Sequence, residues 1–153
     1  MTRIIATVIA GFLAIPAFAD SHASGDAAAG EKVFNKCKSC HMVVSDSGEE
    51  FVKGGRTGPN LWGVVGRSAG TVEDFRYGDD IVKAGEEGLD WNEEEFVAYV
   101  QDPREYLRTF LDDSKARSNM SFKLRDEEDA KDVFAYLASV SPMPEAAEGD
   151  ATN

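Results

Sequence analysis

The chain has 153 residues, 42% of them apolar, and sets 28 acidic side chains against 16 basic ones for a formal net charge of −12. That length limits it to a single domain with a modest core. The acidity excludes nonspecific nucleic-acid binding, which works by neutralising phosphates with Lys and Arg, and makes an anionic membrane surface an equally poor main partner.

The chain opens with Arg3, a mostly apolar run from Ile4 to Ile15, Pro16 and then Ala17-Phe18-Ala19. A basic start, an apolar stretch and small residues in that order read as a secretory signal peptide over residues 1–19, cleaved after Ala19. The apolar run holds about 12 residues, short of the roughly 20 that a membrane-crossing helix requires. An uncleaved anchor is the competing reading, and either way the folded part lies outside the cytoplasm. Residues 20–28 read as a flexible leader, 29–140 as the domain and 141–153 as a disordered acidic tail.

Gly30, Val33, Phe34 and Cys37 follow the i, i+3, i+4, i+7 spacing of one helix face, with Asp26 placed as N-cap. From Val43 to Gly70 the sequence is rich in Gly, Ser and charge, which predicts a wrapping loop with neither strand nor long helix. Asp79 to Ala84 reads as a short helix stopped by Gly85. Asn92 and Glu95 resemble a capping box for a helix that ends before Pro103, and Asp102-Pro103 reads as the N-cap and first residue of another turn or two. The last periodic stretch, Asp126 to Val140, places Ala130, Val133, Phe134, Leu137 and Ala138 on one face and is ended by Pro142 and Pro144.

The two cysteines of the chain are Cys37 and Cys40, and His41 follows directly. C-x-x-C-H is the pattern of covalent haem attachment. One helical turn holds two thiols where they add across the two vinyl groups of a haem, while the next residue projects its imidazole at the iron. A zinc site would need four ligands and a second pair, a thioredoxin-like dithiol would need a βαβ context, and a structural disulfide is the plain alternative. The other histidine is His22, in the leader, so the sixth ligand is sought among thioether sulfurs. Met42 adjoins His41 and cannot reach the opposite haem face, and Met143 lies in the tail. That leaves Met120, in the irregular stretch from Ser114 to Ser121. His/Met ligation raises the reduction potential and leaves no open position, which suits electron transfer.

The sequence resembles the soluble class I cytochromes c, and among them the bacterial cytochrome c2 type. The likeness rests on Gly30 to Phe34 ahead of Cys37-x-x-Cys40-His41, then Thr57-Gly58-Pro59-Asn60-Leu61, Gly66-Arg67, Tyr77, Gly88-Leu89-Asp90-Trp91, Tyr99, Pro103 with Tyr106, Met120 and Ala135-Tyr136-Leu137. The resemblance implies an all-α class I cytochrome c fold, several short helices and long loops wrapped around one haem c, with Gly30, Phe34, Val133 and Tyr136 where the first and last helices cross. It further implies that the Pro59 carbonyl accepts the Nδ1 proton of His41, that Tyr99 hydrogen-bonds near the Met120 sulfur, and that Arg67, Tyr77 and Trp91 hold haem propionates. Trp62 reads as core or haem-wall packing. The intervals from His41 to Pro59 and from Tyr106 to Met120 are longer than in the mitochondrial form.

The function so implied is that of a periplasmic electron carrier between membrane-bound redox complexes, which are met through a basic haem-edge face of Lys36, Lys38, Lys53, Arg56, Arg104, Lys115, Arg117 and Lys123. Acids concentrate elsewhere, at Glu93 to Glu95, Asp126 to Asp129 and Glu145 to Asp150. The expected molecule is a monomer with no catalytic residue of its own. The alternative is a small haem peroxidase or gas sensor, which requires an open or labile sixth position.

Overall fold

The computed structural model describes residues 23–141. The expected signal peptide, residues 20–22 of the expected leader and the expected tail from residue 142 lie outside the described residues. Those described form helices α1 (Ala27–Phe34), α2 (Asp79–Glu86), α3 (Glu93–Gln101), α4 (Pro103–Phe110) and α5 (Glu127–Val140), with one antiparallel hairpin of β1 (Val43–Val44) and β2 (Glu50–Val52). No helix among them is long and apolar enough to cross a membrane.

Side chains that satisfy the first free N–H groups start four of the helices. Asp26 accepts from the Ala28 and Ala29 N–H groups at 2.8 and 3.1 Å, Asn92 from Glu95 at 2.9 Å, Asp102 from Glu105 at 3.3 Å and Asp126 from Asp129 at 3.0 Å. The capping box of α3 is only half made, because the Glu95 carboxylate turns to accept the Tyr106 hydroxyl of α4 instead. The boundary expected at residue 29 falls inside α1. Ser24 is tied to Glu93 by its N–H and its hydroxyl, and the Asp26 N–H donates to Asp132 at 2.7 Å, so the chain is fixed to α3 and α5 before α1 begins.

Two local expectations are corrected. The loop from Val43 contains the hairpin, whose strands of 2 and 3 residues are too short to write an alternating pattern. It is held by its turn, where Gly48 takes φ +86° and the Glu49 N–H donates to Ser45 Oγ at 3.0 Å. Nor does Gly85 stop α2, which continues to Glu86 and is left at Gly88, with φ +100°.

The core sits where α1 crosses α5. A Cβ on Gly30 would lie 1.9 Å from the Asp132 carbonyl oxygen, so the helices touch backbone to backbone there, and the Phe34 and Tyr136 rings meet at 5.5 Å. Phe96 of α3 joins through Phe134 at 5.4 Å, and Leu107 brings α4 in fully buried. Residues 66–69 run along 89–91, with Gly66 N–H to Trp91 O at 2.9 Å and Trp91 N–H to Arg67 O at 3.0 Å. That pairing holds Arg67 and Trp91 side by side on the wall of the cavity described next.

Candidate functional site

One cavity gathers every side chain singled out from the sequence as a site residue: Cys37, Cys40, His41, Pro59, Arg67, Tyr77, Trp91, Tyr99 and Met120 all line it. The chain reaches it directly from α1. Beyond Phe34 it continues in tight turns, with Cys37 N–H to Phe34 O at 2.8 Å and both the Cys40 and His41 N–H groups on Cys37 O at 3.0 Å. Two thiols and an imidazole are thereby held within about one turn. Both cysteines are free thiols rather than a disulfide. Burial pushes the Cys37 thiol up to about 11, while Cys40, at the surface, is held below its ordinary value by hydrogen bonds from Thr57 and Ser39. Among the described residues no group of three or more His, Cys, Asp or Glu comes together to hold a metal ion, so the zinc reading has no ligand set there.

His41 Nδ1 lies 2.9 Å from the Pro59 carbonyl oxygen. A carbonyl can only accept, so Nδ1 carries the proton and Nε2 keeps its lone pair. Burial holds the imidazole below its ordinary pKa and outweighs the opposing effect of the Pro59 bond, which keeps the ring neutral. Gly58 is packed on the ring so closely that a Cβ there would stand 2.4 Å from Cε1. In the sequence Gly58 stood only within the run from Thr57 to Leu61, which did not show its role as the floor under the imidazole.

Met120 donates its backbone N–H to Ser118 Oγ at 3.1 Å, and the same hydroxyl shares a 3.2 Å hydrogen bond with the Tyr99 hydroxyl. Tyr99 thus meets Ser118 instead of the Met120 sulfur, because an oxygen is a far better hydrogen-bond partner than a thioether. Nothing in the sequence marked Ser118. Its link to Tyr99 spans 19 residues.

Arg67 carries the opposite kind of signal. Its guanidinium donates to the backbone carbonyls of Trp62 at 2.7 Å and Asn60 at 3.3 Å, and it forms no ion pair among the described residues. Burial lowers its pKa, and Tyr77 lies near enough to act on it. A half-buried cation without a carboxylate is costly unless an anion completes it. Trp91 stacks edge-on against Tyr99 at 5.0 Å, giving the same wall an apolar, aromatic surface. Leu61, Val64, Phe75 and Ile81 extend that lining. An apolar slot with two thiols and a neutral imidazole at one end and an uncompensated arginine on its wall fits a haem, which has an apolar ring, two vinyl groups, an iron and an acidic edge.

A family model described as Cytochrome c matches residues 27–141. The chain belongs to the cytochrome c family. Cytochrome c-551 of Roseobacter denitrificans is 63% identical over 142 residues, which is 92% of this chain and 97% of that protein. Cytochrome c2 of Rhodobacter capsulatus is 55% identical over 135 residues, 88% of this chain and 93% of its own length. The solved structure of cytochrome c2 from Rhodobacter capsulatus superposes with a TM-score of 0.73 at 55% identity, covering 76% of this chain and 98% of that one. The all-α class I fold expected from the sequence is the fold observed. The cofactor is one haem c, attached covalently at Cys37 and Cys40, and the protein is a single-haem electron carrier serving membrane-bound redox complexes. The peroxidase or sensor alternative gains no support.

Proposed function

We propose that His41 and Met120 would be the two protein ligands holding the haem iron, and that this carrier works in the periplasm as a monomer with no catalytic residue of its own. The observation that carries the reading is the shared cavity: both side chains line it together with the attachment cysteines, and the His41 ring is held neutral with its Nε2 lone pair unspent. The haem, when bound, supplies a one-electron iron couple. Everything else falls to the chain. The Pro59 carbonyl fixes the His41 ring through Nδ1, Gly58 leaves room for it, and Ser118 holds the Met120 backbone in place from Tyr99. Orienting partners of this kind set ligand geometry and tune the metal. Arg67, Tyr77 and Trp91 would receive the haem propionates, the negative charge that the Arg67 guanidinium otherwise lacks among the described residues.

Residues 1–19 are a cleaved export signal on this reading, and residues 29–140, extended back to the start of α1, are the haem domain. Docking runs through the basic face: Lys36, Lys38, Lys53, Arg56, Arg104, Lys115, Arg117 and Lys123 are all exposed, and Lys36 and Arg117 also line the cavity.

Absorption spectra of the haem-loaded protein, oxidised and reduced, test the ligand assignment. The wild type is expected to be low-spin in both states, with the weak far-red sulfur-to-iron band when oxidised, and Met120→Ala to lose that band and its high potential. An unchanged Met120→Ala spectrum would assign the sixth position to another group.

A further inference from the structure

On a chain of net charge −12, four of the 16 basic residues line one small surface concavity: Arg104, Arg108, Lys115 and Arg117, with Ser114 completing the wall. No carboxylate and no apolar side chain belongs to that lining. The arrangement follows from the fold. Arg104 and Arg108 stand four apart on α4 and so share a face. The loop after α4 then folds back over them, with Asp113 N–H on Arg108 O at 3.0 Å and Arg108 Nε on Ala116 O at 3.4 Å. Asp113 Oδ1 takes the Lys115 N–H and Asp80 Oδ2 takes the Arg117 N–H, both at 2.8 Å, and Ala116 is buried beneath, so the loop is fixed. Like charges gathered on a preformed surface repel one another unless an anion lies between them. Of the four, only Arg108 is in an ion pair among the described residues, with the well-exposed Glu105 at 3.7 Å.

We infer that this concavity is a binding site for a compact, multiply charged oxyanion of the phosphate class. Guanidinium forks and a hydroxyl match tetrahedral oxygens, and four cationic heads with no carboxylate in the lining select for negative charge. Arg117 also lines the haem cavity, so the bound anion and the iron sense each other across one side chain. Oxidation adds a positive charge at the iron, so the oxidised form holds the anion more tightly, and by reciprocity the anion lowers the potential. This second statement rests on the carrier reading, whereas the binding itself does not.

The test titrates the haem-loaded full chain with inorganic phosphate, replacing chloride at constant ionic strength, with binding followed by calorimetry in each oxidation state and the potential measured alongside. Expected is saturable binding three- to tenfold tighter in the oxidised form. For a one-electron couple tenfold equals about 59 mV, so the potential should fall by roughly 28 to 59 mV at saturation. Arg104→Gln with Lys115→Gln should abolish it; neither cationic head holds the loop. Lys32→Gln with Lys131→Gln, the same charge change on α1 and α5, should leave it intact. Binding that never saturates, or that falls equally in both double variants, overturns the site. Saturable, variant-sensitive binding that is equal in both oxidation states upholds the site and overturns the linkage.

Discussion

Asn60 shows how much of the site depends on a residue that touches no cofactor. Its side chain imitates a strand: Oδ1 accepts from Val44 N–H at 3.0 Å and from Trp62 N–H at 3.1 Å, while Nδ2 donates to Val44 O at 2.6 Å. Its own carbonyl takes Arg67 Nη2 at 3.3 Å. The hairpin, the loop bearing Pro59 and the buried arginine therefore meet at one side chain. Asn60→Ala strands three backbone groups at a half-buried site, where each unsatisfied group costs about 1–3 kcal/mol and water relieves part of it. The expected loss in denaturant unfolding of the haem-loaded protein is about 2–3 kcal/mol, with a smaller loss for Asn60→Asp, which keeps the two acceptor bonds. An Asn60→Ala loss under about 0.5 kcal/mol would mean that these bonds are replaced by water. Asn60 stands out in the sequence within the run from Thr57 to Leu61, yet this role could not be read there, because its partner Val44 lies 16 residues away. The ligand-bearing residues were legible for the opposite reason. Cys37, Cys40 and His41 are adjacent in sequence, and chemistry fixes their spacing, whereas Ser118 and Gly58 act through contacts that exist only in the fold.

Among the elements, helix starts were readable and close approaches were not. Asp26, Asn92 and Asp102 each cap the helix assigned to them, and Asp126, read only as the start of the last periodic stretch, caps α5, since a cap is a local bond across three residues. Gly85 was misread as a stop because glycine serves both to end a helix and to let backbones touch. Here it does the second, a Cβ lying 2.0 Å from the Ala69 carbonyl oxygen, and Gly88 does the first. Gly30 poses the same choice at the crossing of α1 and α5. Helix propensity alone favours Gly30→Ala by about 1 kcal/mol. Against that, the new methyl would sit 1.9 Å from the Asp132 carbonyl oxygen, and a backbone atom in α5 cannot swing aside as a side chain would. Overpacking of this kind costs about 1–3 kcal/mol and more where the neighbour is rigid. The substitution is thus expected to destabilise by roughly 1–2 kcal/mol net, read as a lowered midpoint with an unchanged slope in denaturant. A stabilised variant would mean that the two helices separate at little cost.

At the scale of the whole molecule the charges sort by function. The acids at Glu93 to Glu95 and Glu127 to Asp129 occupy the first turns of α3 and α5, where they complement the positive end of each helix. Much of the acidity is therefore helix chemistry, and the net charge of −12 misstates what a docking partner meets. The eight cations of the proposed face are fewer in effect than in number. Lys36 is paired with Asp129 at 2.8 Å and Lys123 with Asp102 at 2.5 Å. Among the described residues Lys38, Lys53, Arg56, Arg104, Lys115 and Arg117 form no ion pair, and these are the charges an acidic partner would find. The two descriptions predict opposite salt dependence. With a Debye length of about 10 Å at 0.1 M, a partner at contact distance senses local charge more than distant charge. The basic-face reading therefore expects the bimolecular electron-transfer rate with an acid-faced partner to fall by on the order of tenfold from low to physiological ionic strength. Lys53→Glu with Arg56→Glu should flatten that fall. A rate that rises with salt would mean that the net negative charge governs the encounter, and that the docking surface lies outside these residues.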